Sequence, residues 1–516
     1  MPFASITDHR NITFLIRLAV GALLRRAARA GGPLILLFGL TIAGGIAGGI
    51  TGGIATVPED AGAAFGELTA GVAPAPEGAG EPIRPHAANP SYWEYEGRPV
   101  LLLGGSREDN LFQIPDLQEH LDALVAAGGN YVRNTMSSRD SGNVWPFHRR
   151  ADGRYDLDRL DDAYFERFER LLELAVERDV IVQVELWDRF DFAREPWLEN
   201  PYRPANNVNY TVEESGLEDD YQRHPNDNEN PFFRTIPEND DNRLLLRYQQ
   251  VQVDRLLEIS LEYPNVLYTM DNETSGTPQW GAYWSDYIRR RAAEREVEVY
   301  TTEMWDDWDI RSEQHRHTLD HPERYGFADI SQNNHNSSDQ HWGNLQWVRR
   351  YTADRPRPLN NVKIYGADGG RFGTSRDGVE RFWRNILGGA ASARFHRPES
   401  GIGLSGPAQA SLRSARLLTE RFDLVEATPD AEASLLENRE ENEAYLSRIP
   451  GEKYAVYFPD GGSVTLDLRE DPGTFDVQWL DVAGSEWRRG PDVEGLHPVE
   501  LQAPEAGHWI AVLTKS

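Results

Sequence analysis

Asn265-Val266-Leu267-Tyr268-Thr269-Met270-Asp271-Asn272-Glu273 is the stretch whose reading decides the fold. An apolar, strand-like run ends in Asp-Asn-Glu, and amphipathic helical patterns flank it over Leu244–Tyr263 and Trp280–Glu296. A short apolar strand between two such helices reads as a parallel strand covered on both faces. A carboxyl group at its C-terminal end then lies at the mouth of a barrel strand, where such folds do their chemistry. An isolated Asn-Glu pair reads as a helix cap or a solvated turn; the order of the surrounding elements reverses that reading.

Outward from this stretch, strand and helix signals alternate eight times. The strand candidates are Pro99–Gly105, Asn130–Asn134, Val180–Leu186, Val266–Asp271, Val297–Thr302, Phe327–Ser331, Pro358–Tyr365 and Ala391–His396. Helical patterns between them include Asp116–Ala127, Leu157–Arg178, Asn242–Tyr263, Trp280–Glu296, His341–Asp354, Asp377–Leu387 and Pro407–Phe422. Eight βα units over residues 86–426 predict an α/β fold, a (β/α)8 TIM barrel. A doubly wound open sheet is the alternative. It is weakened because Gly104-Gly105-Ser106-Arg107 stands after the first strand in place of a Gly-x-Gly-x-x-Gly turn.

Asp188–Asp241 is longer than an ordinary βα loop and carries Trp197, Tyr202, Tyr210, Tyr221, Phe232 and Phe233. On the catalytic face it is expected to wall a groove. Its Asn226-Asp227-Asn228-Glu229 run matches no calcium loop, so an acidic turn is expected there. After Ala427 the helical patterns give way to short alternating runs such as Tyr454–Phe458, Ser463–Leu468 and Trp509–Thr514. They predict a small antiparallel β-sandwich domain over residues 427–516, with no part in bond cleavage.

The chain has 516 residues, no cysteine and a net charge of −30. Disulfides, zinc-thiolate sites, thiol catalysis and lipidation of an N-terminal Cys are therefore excluded. Such a surface repels nucleic acid and anionic lipid. Lys363, Lys453 and Lys515 are the only lysines. An acidic, Lys-poor, halophilic composition suits work in high salt, and a GC-rich genome also replaces Lys by Arg. Residues 1–57 run against this trend, with Arg10, Arg17, Arg25, Arg26 and Arg29 against Asp8 and an uncharged stretch over Gly32–Val57. They read as a signal peptide or an N-terminal membrane anchor, giving a secreted or membrane-anchored, extracytoplasmic protein that meets the membrane only there. Residues 58–85, rich in Ala, Gly and Pro, read as a disordered linker.

Paired carboxyl groups on either side of a bond are the equipment of glycoside hydrolysis. Glu273 is the best acid, Asn272 beside it suits a sugar hydroxyl, and Trp280, Trp284, Trp305 and Trp308 offer faces for stacking on sugar rings. For the second carboxylate the candidates are Asp368 after the seventh strand, Glu303 after the fifth, and Glu185 and Asp188 flanking Trp187 after the third. Each reads equally well as the partner of an arginine. Arg107, Glu108, Asp109, Arg133, Asn134, Asn334, His335, Lys363, Tyr365, Arg394 and His396 complete a polar ring at strand ends, poor core material and good pocket material. Lys363 also suits a lyase base. His335 and His396 lack metal-ligand spacing, so no metal and no cofactor is expected.

Three segments carry a resemblance. They are Trp93-Glu94-Tyr95-Glu96-Gly97-Arg98-Pro99-Val100-Leu101-Leu102-Leu103-Gly104-Gly105, Ala127-Gly128-Gly129-Asn130-Tyr131-Val132-Arg133-Asn134, and Asp271-Asn272-Glu273. Together they resemble clan A glycoside hydrolases, and within them the apiosidase-like barrels. The tail, with Val464-Thr465-Leu466-Asp467-Leu468 and His508-Trp509-Ile510-Ala511-Val512-Leu513, is similar to the collagen-binding-type β-sandwich domains found behind such barrels. The resemblance implies a glycoside hydrolase with Glu273 as general acid/base and a Glu ending the seventh strand as nucleophile; with the N-terminal reading, the expectation is an exported hydrolase of a poly- or oligosaccharide. This chain departs there, because Pro358–Tyr365 contains no carboxylate. Asp368 or Glu303 then takes the role, at about 5–5.5 Å for a retaining pair or about 6.5–9.5 Å for an inverting one. The alternative is a barrel at the cell surface that binds glycan without turnover. Glu273 is expected to have a raised pKa, as a general acid requires.

Overall fold

A computed structural model describes residues 80–224, 230–368 and 371–516. Residues 1–79 and the Asn226–Glu229 run, on which expectations were placed, lie outside the described residues.

Eight parallel strands form the barrel: β1 (Leu102–Gly105), β2 (Tyr131–Thr135), β3 (Ile181–Asp188), β4 (Val266–Asn272), β5 (Thr301–Thr302), β6 (Ala328–Asp329), β7 (Leu359–Asn360) and β8 (Ser392–Phe395). The ladder runs β5-β4-β3-β2-β1-β8, β6 pairs with β7, and a bridge from Ile364 to Phe395 joins β7 to β8. Between β5 and β6 a side chain stands in for the ladder, with Asp329 N donating to Thr302 Oγ1 at 3.1 Å. Strands β5 to β7 are shorter than their apolar runs suggested, because their polar ends bond side chains more than each other.

A main helix follows each strand: α1 (Leu117–Ala126), α2 (Asp162–Val176), α3 (Arg243–Ser260), α4 (Pro278–Ala293), α5 (Glu313–Asp320), α6 (Ser338–Tyr351), α7 (Ser375–Leu387) and α8 (Gly406–Thr419), and the insertion after β3 adds the short helices Arg194–Glu199 and Val212–Ser215. In α3 the Asn242 side chain accepts from Leu245 N, capping the start, and Leu245, Gln249, Val253, Leu256 and Ser260 recur on one buried face. Pro278 opens α4, where its missing N–H costs nothing. The polar helix α5 gave no apolar period. Residues 157–160 belong to an antiparallel hairpin, Phe147–Arg149 with Tyr155–Leu160, so helix α2 starts later than its pattern did.

Arg84–Pro85, read above as the end of a disordered linker, pairs with Trp93–Glu94, and Ile83 is buried. This segment closes the N-terminal end of the barrel. Trp93 donates to Asn360 Oδ1 at 2.9 Å and meets the rings of Tyr300 and Phe327 edge-on.

Beyond α8 lie two antiparallel sheets. Lys453–Phe458, Trp509–Lys515 and Thr474–Asp481 run through the middle of the larger, and Leu436–Glu437, Ser463–Asp467 and Pro498–Gln502 form the smaller. Period-two alternation splits the larger sheet between two cores. Tyr454, Val456 and Phe458 join the cluster within the sandwich, whereas Ala455 and Tyr457 join the barrel's. Tyr457 lies 6.1 Å from Trp383 of α7 between ring centroids, and Ser414 of α8 donates to Val482 O.

Candidate functional site

A cavity of about 670 Å³ opens at the C-terminal ends of the strands, within the range of small-molecule sites. Asn272 and Glu273 come from the end of β4, Lys363 and Tyr365 from beyond β7, and His396 from beyond β8. Asp109, Arg139, Phe190, Asp307 and Trp308 line it from the loops after β1, β2, β3 and β5.

At its centre Lys363 Nζ lies 2.7 Å from Glu273 Oε1 and 2.5 Å from Asn272 Oδ1, and Tyr365 Oη donates to Glu273 Oε1 at 3.2 Å. Asn272 in turn donates to Asp188 Oδ1 at 3.1 Å. Glu273 has a φ of 60°, in the left-handed region, which breaks strand alternation at a cost of ~1 kcal/mol or more. Burial alone would raise its pKa, but the Lys363 ammonium outweighs burial and brings the carboxyl down to about 2. The expected raised pKa is therefore wrong: Glu273 is a carboxylate. The cause is Lys363, which follows β7 within the Pro358–Tyr365 run that holds no carboxylate.

Beneath the cavity Arg133 forks onto both oxygens of Glu185, at 2.6 and 2.7 Å, and reaches Asp109 at 2.5 Å. Burial pushes the Asp109 carboxyl upward, yet the guanidinium groups of Arg133 and Arg397 hold it well below the usual range. Burial, reinforced by nearby Arg133, Lys363 and Arg394, pushes His396 well below its ordinary value despite Asp109, so it stays neutral. Arg139 pairs with Asp188 and stands 3.6 Å from Asp191.

One wall is aromatic. The exposed Trp308 stacks on His335 at 4.4 Å and 15°, and Tyr365 stacks on Phe372 at 4.3 Å and 19°. Burial lowers His335 to about 3, so it too is neutral.

The two proposed partner carboxylates are elsewhere. Asp368 is exposed, lies outside this cavity, and accepts from Ser375 N at the start of α7 at 2.9 Å. Gly366, at φ 129°, turns the chain there, and a Cβ on it would lie 2.4 Å from Gly378 N. Glu303 is wholly buried against α4, where it accepts from Thr274 Oγ1, and a Cβ on Gly281 would overlap its carboxyl group. Burial raises its pKa to about 8.

Several expected binding residues are structural. Trp187 packs edge-on against Phe232 and Trp284, in a cluster that also buries Trp280, and Trp305 donates to Thr318 Oγ1. Asn134 accepts from Phe112 N, and Arg107 pairs with Asp116. Arg394 is buried, donating to Val362 O at 2.6 Å and to Ser106 Oγ. Within the long insertion Trp197, Tyr202, Tyr210, Phe232 and Phe233 are buried in the barrel's own core cluster; Phe190 and His224 reach the cavity. Sequence reasoning missed Arg139, Phe190, Arg371, Phe372 and Arg397, which stand on loops without periodicity. Among the described residues no group of His, Asp and Glu is arranged to hold a metal ion, and no helix is long and apolar enough to cross a membrane.

No family model and no curated protein matches the chain. Among solved structures, a glycoside hydrolase family 5 protein from Bacteroides vulgatus aligns with a TM-score of 0.60 at 12% identity, over 84% of this chain and 93% of that one. Another, described as a glycoside hydrolase, aligns with a TM-score of 0.59 at 10% identity, over 84% and 97%. The chain shares their fold, a (β/α)8 barrel.

Proposed function

We propose that the cavity takes a carbohydrate and that Glu273 acts on it, which makes the protein a glycoside hydrolase of a poly- or oligosaccharide. The observation that carries this reading is Glu273 beside Asn272 at the end of β4, in a cavity walled by the exposed Trp308. An indole face suits the C–H face of a sugar ring, and the surrounding polar groups suit its hydroxyls. The glycoside hydrolase neighbours support the same class. The apiosidase-like affiliation, the collagen-binding-type tail and export rest on the sequence segments quoted above.

No glutamate stands between β7 and α7, so the chain lacks the seventh-strand nucleophile that the resemblance implies. As a carboxylate, Glu273 serves as a base. It takes a proton from water while the water oxygen bonds the anomeric carbon and the glycosidic C–O bond breaks. The leaving oxygen needs a proton from a second group. Asp109 is held ionised, so that proton comes from another group of the cavity lining. For Glu273 itself to act as the acid, Lys363 must first move away.

The Glu273–Lys363 pair also favours a second reading, a barrel that binds glycan without turnover. Purified protein tested on a glycan panel separates the two. Release of reducing ends by the wild type, lost in Glu273→Gln, supports hydrolysis. Binding without release in either protein gives the second reading, and absence of binding to every glycan overturns both.

A further inference from the structure

The charge lining the cavity differs from that of the chain around it. Over the whole sequence 83 acidic residues stand against 53 Lys and Arg. The cavity instead brings Arg139, Lys363, Arg371 and Arg397 to the same wall space as Asp109, Glu273, Asp306 and Asp307. Three of these cations are committed. Lys363 is held by Glu273 and Asn272, Arg139 by Asp188, and Arg397 stands 3.4 Å from Asp109 and 3.1 Å from Glu399.

Arg371 is held differently. Its guanidinium lies 4.6 Å from the Phe372 ring centre and 5.9 Å from that of Trp308, and it is exposed. A guanidinium resting on aromatic faces keeps its N–H edge free for a planar anion, which it grips through two parallel hydrogen bonds. His335 covers one face of Trp308, and its exposed part stands with the Arg371 guanidinium 5.9 Å from the ring centre, an arrangement suited to a ring that bears a negative charge.

From this arrangement we propose that the cavity selects an acidic glycan, whose carboxylate or sulfate group pairs with Arg371 while the sugar ring stacks on Trp308. The proposal rests on the carbohydrate reading of the same cavity. The acidic surface repels a polyanion at long range, so capture is local, and it improves for short oligosaccharides and under added salt that screens the distant charges.

Titration calorimetry on the full protein tests this, using uronate, sulfated and neutral oligosaccharides of equal length. The expected result is tighter binding of one acidic series than of the neutral one. In Arg371→Gln the acidic-over-neutral ratio falls about tenfold, and Arg371→Lys keeps part of it because the charge remains without the fork. The uronate and sulfated arms identify which anion is taken. Equal or tighter binding of neutral oligosaccharides by the wild type overturns the acidic preference and leaves the carbohydrate reading standing. So does an unchanged ratio in a folded Arg371→Gln variant. Binding of no oligosaccharide overturns both.

Discussion

Glu273 and Glu303 close neighbouring strands of one barrel, each following a run of buried residues, and they stand in opposite protonation states. Glu273 meets an ammonium at 2.7 Å and sits at about 2; Glu303 meets a threonine hydroxyl and a helix backbone, and burial carries it to about 8. Position on the fold therefore does not set the chemistry of a carboxyl group. The partner does: Lys363 beyond β7 in one case, and in the other a helix whose Gly281 leaves room for the group to turn away from the mouth. A wet, charged carboxylate is suited to act on a substrate, and a dry, neutral one to hold two elements together.

The comparison breaks most readily at Glu273. Replacement by Gln keeps the shape and removes the charge, so turnover of a glycan that the wild type hydrolyses should fall by about 10²–10⁴-fold, read as reducing ends released. Full activity in the folded variant would move the chemistry to another group. Substitution of Lys363 by Met should come next. It strands a carboxylate that burial disfavours, at a cost of about 2 kcal/mol or more in a urea titration, below the ~3–5 kcal/mol of a fully buried pair because the Glu273 side chain is 17% exposed. The pH dependence shifts with it. In the wild type Glu273 titrates below its ordinary range, so its contribution is present above about 4.5 and lost as pH falls toward 2. Without Lys363, burial is opposed chiefly by Arg133, and the group titrates higher than in the wild type. A Glu273→Gln, Lys363→Met double variant less destabilised than the sum of its parts would isolate the pair.

At Glu303 the linkage runs the other way. A folded-state pKa of about 8 against an ordinary 4.5 means that the native state holds a proton the unfolded chain releases. Stability from this group is complete below pH 4.5 and is lost as pH rises to 8, on the order of 2 kcal/mol or more. Glu303→Gln, permanently neutral, should flatten that slope and melt higher than the wild type at pH 8. Equal slopes in the two proteins would mean that Glu303 ionises freely.

The barrel was legible because its signal is local. Apolar strands alternating with amphipathic helices mark β1 to β4 in the sequence to within a few residues, and Glu273 was legible as the residue at which one such run stops. What failed depended on partners distant in the chain. Lys363 is 90 residues from Glu273, and no periodicity links them. Trp280, Trp284 and Trp305 read as stacking platforms, yet so much apolar surface is more stable in a core. Only Trp308 of that set of four is exposed. The polar loops that supply Arg139 and Arg371 carry no pattern, so their place at the mouth is visible only once the barrel closes.

A third carboxylate gives the comparison its control, and with it the smallest expected effect. Asp368 follows β7, as a nucleophile would, but Gly366 turns the chain so that its carboxyl accepts from Ser375 N at the start of α7. Hydrogen bonds from Ser375 lower its pKa, so it is ionised, as Glu273 is, yet it lies outside the cavity. If charge alone made a carboxylate catalytic, Asp368 would qualify; if reach into the cavity decides, it does not. Asp368→Asn should therefore leave turnover within about twofold and the melting temperature within about 2 °C, as for an ordinary surface substitution. A loss of turnover approaching that of Glu273→Gln, in a protein that still melts like the wild type, would place Asp368 in the reaction after all. It would require the segment after Tyr365 to swing into the mouth when substrate binds, and the pairing of Glu273 with Lys363 would then describe a resting state.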